Sequence, residues 1–129
     1  YPALGMLPVK PYLTAANASL ISLFKNDMQT GITLTAPGFY GAQGRQLRLK
    51  SRMRNLLDTT ANAEREEASL TNFEMETSGI YGLGKLLGHH CLSLSAIVAN
   101  RISKEFSKDS ATTMEKLITQ TLETLSQTN

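Results

Sequence analysis

The sequence predicts an α/β domain with a parallel or mixed central sheet flanked by helices. Short alternating, β-branched segments are interleaved with segments whose apolar residues recur at helical spacing. A glycine-rich stretch directly follows the first of those strands. Strand–helix–strand order calls for right-handed crossovers, and these build parallel sheets. The length of 129 residues suits one domain with a modest core.

Tyr1 to Leu13 carries Pro2, Pro8 and Pro11, so an extended connector is expected there. Thr14 is placed to cap a helix running to Lys25, with Leu20, Ile21 and Phe24 on its apolar face. Asn26–Asp27 reads as a turn. Met28 to Ala36 holds the alternating Thr-Gly-Ile-Thr-Leu-Thr string, a strand with Ile32 and Leu34 on one side. Pro37 to Gly44 is a loop with Gly38, Gly41 and Gly44, at the strand end where α/β sheets hold ligands.

Leu49 to Asp58 reads as a short basic helix or an irregular piece. Thr59 to Ser69, with Glu64, Arg65, Glu66 and Glu67, reads as solvated surface. Leu70 to Glu74 is a short strand, and Thr77 to Leu87 a helix with Ile80, Leu83 and Leu87 on one face and Gly88 as its stop. Cys91 to Ala99 alternates Leu92, Leu94, Ala96 and Val98 against serines and reads as a mostly buried strand. Ser110 opens a last amphipathic helix bearing Met114, Leu117, Ile118, Thr121, Leu122 and Leu125. Three strands are few for this layout, so part of the sheet is expected to be missing. The opening at Tyr1, without Met, points the same way.

Composition excludes several classes. The formal charge of +2 is too small for a protein that wraps polyanions. Residues 1–60 hold seven basic and two acidic residues, with the excess in Arg45, Arg48, Lys50, Arg52 and Arg54. That string lacks interleaved aromatics, so no nucleic-acid partner is expected. One cysteine makes no internal disulfide, and no apolar run approaches the ~18 residues of a membrane span. A soluble, cytoplasmic protein is the expectation, and Asn17-Ala18-Ser19 is a chance match to a glycosylation acceptor. His89, His90 and Cys91 stand adjacent with no second ligand cluster, so no metal is expected, and Cys91 is read as a small buried side chain. Gly79, Gly82 and Gly84 lie inside a helix that Gly88 ends, not at its start, so close packing is preferred to dinucleotide binding.

The segments that carry chemistry are Gly38 to Arg45 and Asn72 to Gly79, each at or just past a strand end. Phe39 presents a flat apolar face, Gln43 a donor beside an acceptor, and Arg45 a planar cationic fork. That set suits a planar heterocycle with adjacent N–H and C=O groups. Glu76 suits a pair of neighbouring hydroxyls, and period-two spacing puts Glu74 on the same side.

Phe39-Tyr40-x-x-Gln43-x-Arg45, Asn72-Phe73-Glu74-Met75-Glu76-Thr77-Ser78 and Ile97-Val98-Ala99-Asn100-Arg101 stand in the order found in the nucleoside phosphorylases. The chain resembles the uridine phosphorylase branch of that family over most of its length. The resemblance implies the C-terminal portion of a phosphorylase-type three-layer α/β fold, residues 1–129 forming part of one domain whose N-terminal half is absent. It implies phosphorolysis of a pyrimidine nucleoside, with uridine and phosphate giving uracil and ribose 1-phosphate. Phosphate is then a co-substrate, and no cofactor is needed. By motif position Phe39 would stack near the nucleoside, and Gln43 and Arg45 would bind the uracil edge. Met75 would line the ribose, Glu76 would hold its hydroxyls with Glu74 beside them, and Val98 would wall the base. Arg101 would lie behind the base in support of Arg45. Purine-specific relatives carry an Asp near Asn100-Arg101, and its absence favours a pyrimidine. Arg48, Lys50, Arg52 and Arg54 match no phosphate motif, so the fragment alone is expected to be inactive. The family's hexameric assembly implies a homo-oligomer. The alternative is a non-catalytic relative that binds a nucleoside or a nucleic acid.

Overall fold

A computed structural model of the chain describes residues 10–50 and 70–128. The expected connector before Lys10, the basic piece beyond Lys50 and the charged run to Ser69 lie outside the described residues.

Helix α1 spans Ala18–Phe24, three residues later than the start expected from a cap at Thr14. The cap is Asn17, not Thr14. The Asn17 side chain accepts a hydrogen bond from the Leu20 N–H at 3.1 Å, while its own N–H donates to the Cys91 carbonyl at 2.9 Å. An asparagine with its N–H drawn out of the helix and its side chain turned into the first turn sets the boundary there. The helix ends in a turn where the Asp27 and Met28 N–H groups both donate to the Phe24 carbonyl.

Strand β1 (Ile32–Thr35) runs parallel to β2 (Leu70–Glu74). Thr33 lies opposite Asn72, Leu34 opposite Phe73 and Thr35 opposite Glu74, after an irregularity between Ile32 and Thr33. The pairing extends into side chains, since the Thr33 hydroxyl donates to Asn72 Oδ1 at 2.6 Å. The α/β class is therefore observed, with a parallel pair at its centre.

Helix α2 (Thr77–Leu86) follows β2 almost at once and stops at Leu87–Gly88, as the sequence predicts. Gly84 is required by packing: a Cβ there would stand 2.4 Å from Cys91 Sγ. The chain after the helix doubles back on this glycine, and Cys91 is half-buried against it.

The predicted strand Cys91–Ala99 is not observed. Only Ala99–Asn100 enters a ladder, as β3, paired antiparallel with β4 (Glu105–Phe106) in a separate two-stranded sheet. The preceding residues spend backbone groups elsewhere: the Cys91 carbonyl accepts from Asn17, and the Ser93 N–H donates to the Tyr81 hydroxyl at 2.7 Å. The alternation survives as burial, with Leu92, Leu94 and Ala96 half-buried and Ser93 and Ser95 exposed. Period two reported which side chains turn inward, but not whether a neighbouring strand was there to pair.

Helix α3 spans Ser110–Ser126 and is capped by Asp109, whose carboxylate accepts from the Thr112 N–H at 3.0 Å. Among the described residues Phe24 (5% exposed) and Ala36 (3%) are the buried apolar side chains. Ile80, Leu83 and Leu87 of the α2 segment and Met114, Ile118 and Leu122 of α3 are exposed, although their spacing is that of core-facing stripes. No helix among the described residues is long and apolar enough to cross a membrane.

Candidate functional site

The loop after β1 builds the first part of the site. Residues Gly41–Gln43 form one 3-10 turn, closed by Gly44 at φ 71°, a left-handed conformation that favours glycine. The Gln43 and Arg45 N–H groups both donate to the Tyr40 carbonyl, at 3.1 and 3.0 Å. This reversal folds Arg45 back over Phe39, with the guanidinium carbon 3.7 Å from the ring centroid. Arg45 Nη1 donates to the Phe39 carbonyl and, at 2.5 Å, to Gln43 Oε1. Gln43 is 4% exposed, whereas Phe39 is 52% exposed and Tyr40 meets it edge to face at 5.3 Å. Phe39 is thus the open face of the cluster, and Gln43 lies beneath Arg45.

Arg101 joins the cluster from the far end of the chain. It sits in the turn between β3 and β4, where Asn100 Oδ1 accepts from the Ile102 and Ser103 N–H groups at 3.0 and 3.1 Å. Arg101 Nη1 donates to the Gln43 main-chain carbonyl at 2.7 Å, and its guanidinium carbon lies 5.6 Å from the Phe73 ring centroid. Partial burial, and then the nearby positive charge of Arg45, lower the Arg101 pKa. Two guanidiniums therefore converge on one glutamine. Such a site favours an anionic or carbonyl-rich planar group over a cation.

The second part of the site is the end of β2. Burial alone would raise the Glu74 pKa. Hydrogen bonds from the Thr35 hydroxyl and from the Glu76 and Thr77 N–H groups outweigh that and hold it below the usual glutamate range. Glu74 is thus an ionised carboxylate, engaged with the start of α2. Met75 and Glu76 are exposed. Both stand on the wall of an open cleft of about 1170 Å³, together with Thr35, Pro37, Ala42 and Tyr81.

Phe39, Gln43, Arg45 and Arg101 are brought together by direct contacts. They do not line that cleft, so Met75 and Glu76 form a second group on its wall. The two groups are linked through β2, whose Phe73 lies under Arg101 and whose Glu74 leads into Met75. Val98 is exposed, and its carbonyl accepts from the Ser107 N–H at 2.9 Å. Arg48, Lys50, His89 and His90 are exposed, and among the described residues no group of three His, Cys, Asp or Glu is arranged to hold a metal ion. Sequence reasoning missed Thr35, Phe73 and Ser78. The readable signal was the paired alternation of Thr33 and Thr35 with Asn72 and Glu74, which places hydroxyls opposite polar partners on adjacent strands.

Compared with known proteins, the chain is 35% identical over 111 residues to the uridine phosphorylase of Thermococcus kodakarensis, a match covering 84% of this chain. The chain spans 37% of the length of that relative. No protein-family model matches the chain, and no solved structure matches it.

Proposed function

We propose that the protein containing this chain is a nucleoside phosphorylase that uses phosphate to release uracil from uridine, leaving ribose 1-phosphate. The observation that carries this reading is the convergence of Arg45 and Arg101 on Gln43 beside the open ring of Phe39. The partial similarity to a protein named uridine phosphorylase supports it.

The chemistry follows from where charge develops. Cleaving the glycosidic bond puts positive charge on the ribose and negative charge on the departing base. A stacking ring holds the base plane, and an amide reads adjacent N–H and C=O groups. Two guanidiniums stabilise the anion that forms, a type of interaction worth most when its donors are already in place. Gln43 Oε1 is the acceptor that a uracil N–H would use, and Arg45 occupies it here. On binding, the base displaces that contact, so that Gln43 and Arg45 both turn to its edge. Glu76 holds the ribose diol, fixing the sugar for attack by phosphate. The mechanism needs no covalent nucleophile.

The test is phosphate-dependent release of uracil from uridine by the protein that contains this chain, with cytidine, thymidine and inosine as competitors. Phosphate-dependent release with preference for uridine is expected. Nucleoside binding without turnover of any of them would replace the enzyme with a binding protein.

A further inference from the structure

Strands β1 and β2 end side by side, with Thr35 opposite Glu74. The Thr35 hydroxyl donates to Glu74 Oε1 and accepts from the Ser78 N–H at 3.0 Å. The other carboxylate oxygen, Oε2, accepts from the Glu76 and Thr77 N–H groups at 2.7 and 2.6 Å. One hydroxyl and one carboxylate thus satisfy the amides of Glu76, Thr77 and Ser78 at the start of α2. These are donors a helix cannot satisfy internally.

The arrangement has a second side. Glu76 occupies the N-cap position of α2, yet its side chain makes no capping bond. At most helix starts the residue in that place turns its own side chain back onto the first turn. Here the cap comes from the neighbouring strands, and the Glu76 carboxylate is left on the cleft wall next to Met75.

We infer that Thr35, acting through Glu74, is a positioning residue that fixes the backbone of Glu76 and so aims its carboxylate at the ribose hydroxyls. The inference rests on the proposed role of Glu76 in holding the diol. A hydroxyl is needed because Thr35 donates and accepts at once: valine has the same shape but strands both the Ser78 N–H and Glu74 Oε1, whereas serine keeps both bonds.

The experiment compares Thr35→Val and Thr35→Ser in the protein that contains this chain, with uridine and 2′-deoxyuridine as substrates. Thr35→Val is expected to lower kcat/KM for uridine about tenfold or more, and for 2′-deoxyuridine distinctly less, because the deoxy sugar offers Glu76 only one hydroxyl. Thr35→Ser is expected to stay within about threefold of the parent. An equal loss on both substrates, or no rescue by serine, overturns the positioning role. Amide hydrogen exchange at Glu76, Thr77 and Ser78 reads the clamp without any turnover. About tenfold faster exchange in Thr35→Val, restored in Thr35→Ser, is expected, and unchanged exchange overturns the clamp. Should Thr35→Val not fold, Thr35→Ala is read in the same way, since it too lacks the hydroxyl that donates to Glu74 and accepts from the Ser78 N–H. A parent protein that turns over no nucleoside would remove the phosphorylase reading and the diol role with it, while the exchange rates still decide whether Thr35 holds α2.

Discussion

Arg101 donates to the main-chain carbonyl of Gln43 at 2.7 Å, across 58 residues of sequence. This bond ties the β3–β4 turn to the loop after β1, and it brings a second guanidinium beside Arg45. It makes one cluster from two segments that share no local structure.

Arg101→Ala removes both the hold on the Gln43 loop and one positive charge. A drop of about a hundredfold to a thousandfold in kcat/KM for uridine is expected, the range seen when a preorganised donor to a developing anion is removed. Arg101→Lys keeps the charge but loses the planar fork, so it should fall between the alanine variant and the parent. Steady-state kinetics in excess phosphate check the order.

Gln43→Glu separates stability from function. A carboxylate at this position accepts a charge-assisted hydrogen bond from Arg45, while Arg101 keeps its bond to the main-chain carbonyl, so the melting temperature should hold or rise. The same charge repels the uracil anion, and the lost amide can no longer donate to the base. At least a hundredfold loss in kcat/KM is expected, on the order of 3 kcal/mol in the transition state. Thermal denaturation and kinetics on one preparation give both readings.

Glu74 makes the start of α2 sensitive to acid. Its folded-state pKa lies below the usual glutamate value, so the stability it contributes is fully present above that value. It is lost as the pH falls through the folded-state pKa, when the carboxyl takes up its proton. In Glu74→Gln this acid-dependent part should disappear. Hydrogen exchange at Glu76 and Thr77 should therefore accelerate on acidification in the parent, beyond the intrinsic dependence, and not in the variant.

Gly84→Ala sets two effects against each other. Alanine gains roughly 1 kcal/mol of helix propensity over glycine, but its Cβ would meet Cys91 Sγ at 2.4 Å. Overpacking of that kind costs about 1–3 kcal/mol, so a net loss of up to about 2 kcal/mol is expected. Placing the substitution in a Cys91→Ala background removes the sulfur and leaves the propensity gain, and the double variant should be at least as stable as Cys91→Ala alone. Urea denaturation of the four proteins closes the cycle.

Local chemistry made much of this architecture readable. The bounds of β2 are those the sequence predicts, and those of α3 follow from the Ser110 start and from the helical spacing of Met114 to Leu125. The end of α2 was equally legible in Gly88. The start of α1 was not, because Thr14 and Asn17 are both able to cap, and the choice depended on the distant Cys91 carbonyl accepting the Asn17 N–H. Cys91 to Ala99 misled for a related reason: alternation marks which side chains turn inward, while a ladder also needs a partner strand within reach.

The candidate site divides along the same line. Residue type within Phe39 to Arg45 and Glu74 to Glu76 offered a stacking face, an amide, a cationic fork and a pair of carboxylates, and the resemblance of those strings to a family singled them out. Sequence alone assigned Glu76 the pair of hydroxyls and set Glu74 beside it, two acids on one side of a strand end. Tertiary structure separated them. Thr35 from β1 draws Glu74 into capping α2, and Glu76 is left at the cleft wall. A side chain's chemistry is written in its own residue, but its hydrogen-bond partners come from wherever the fold brings the chain together.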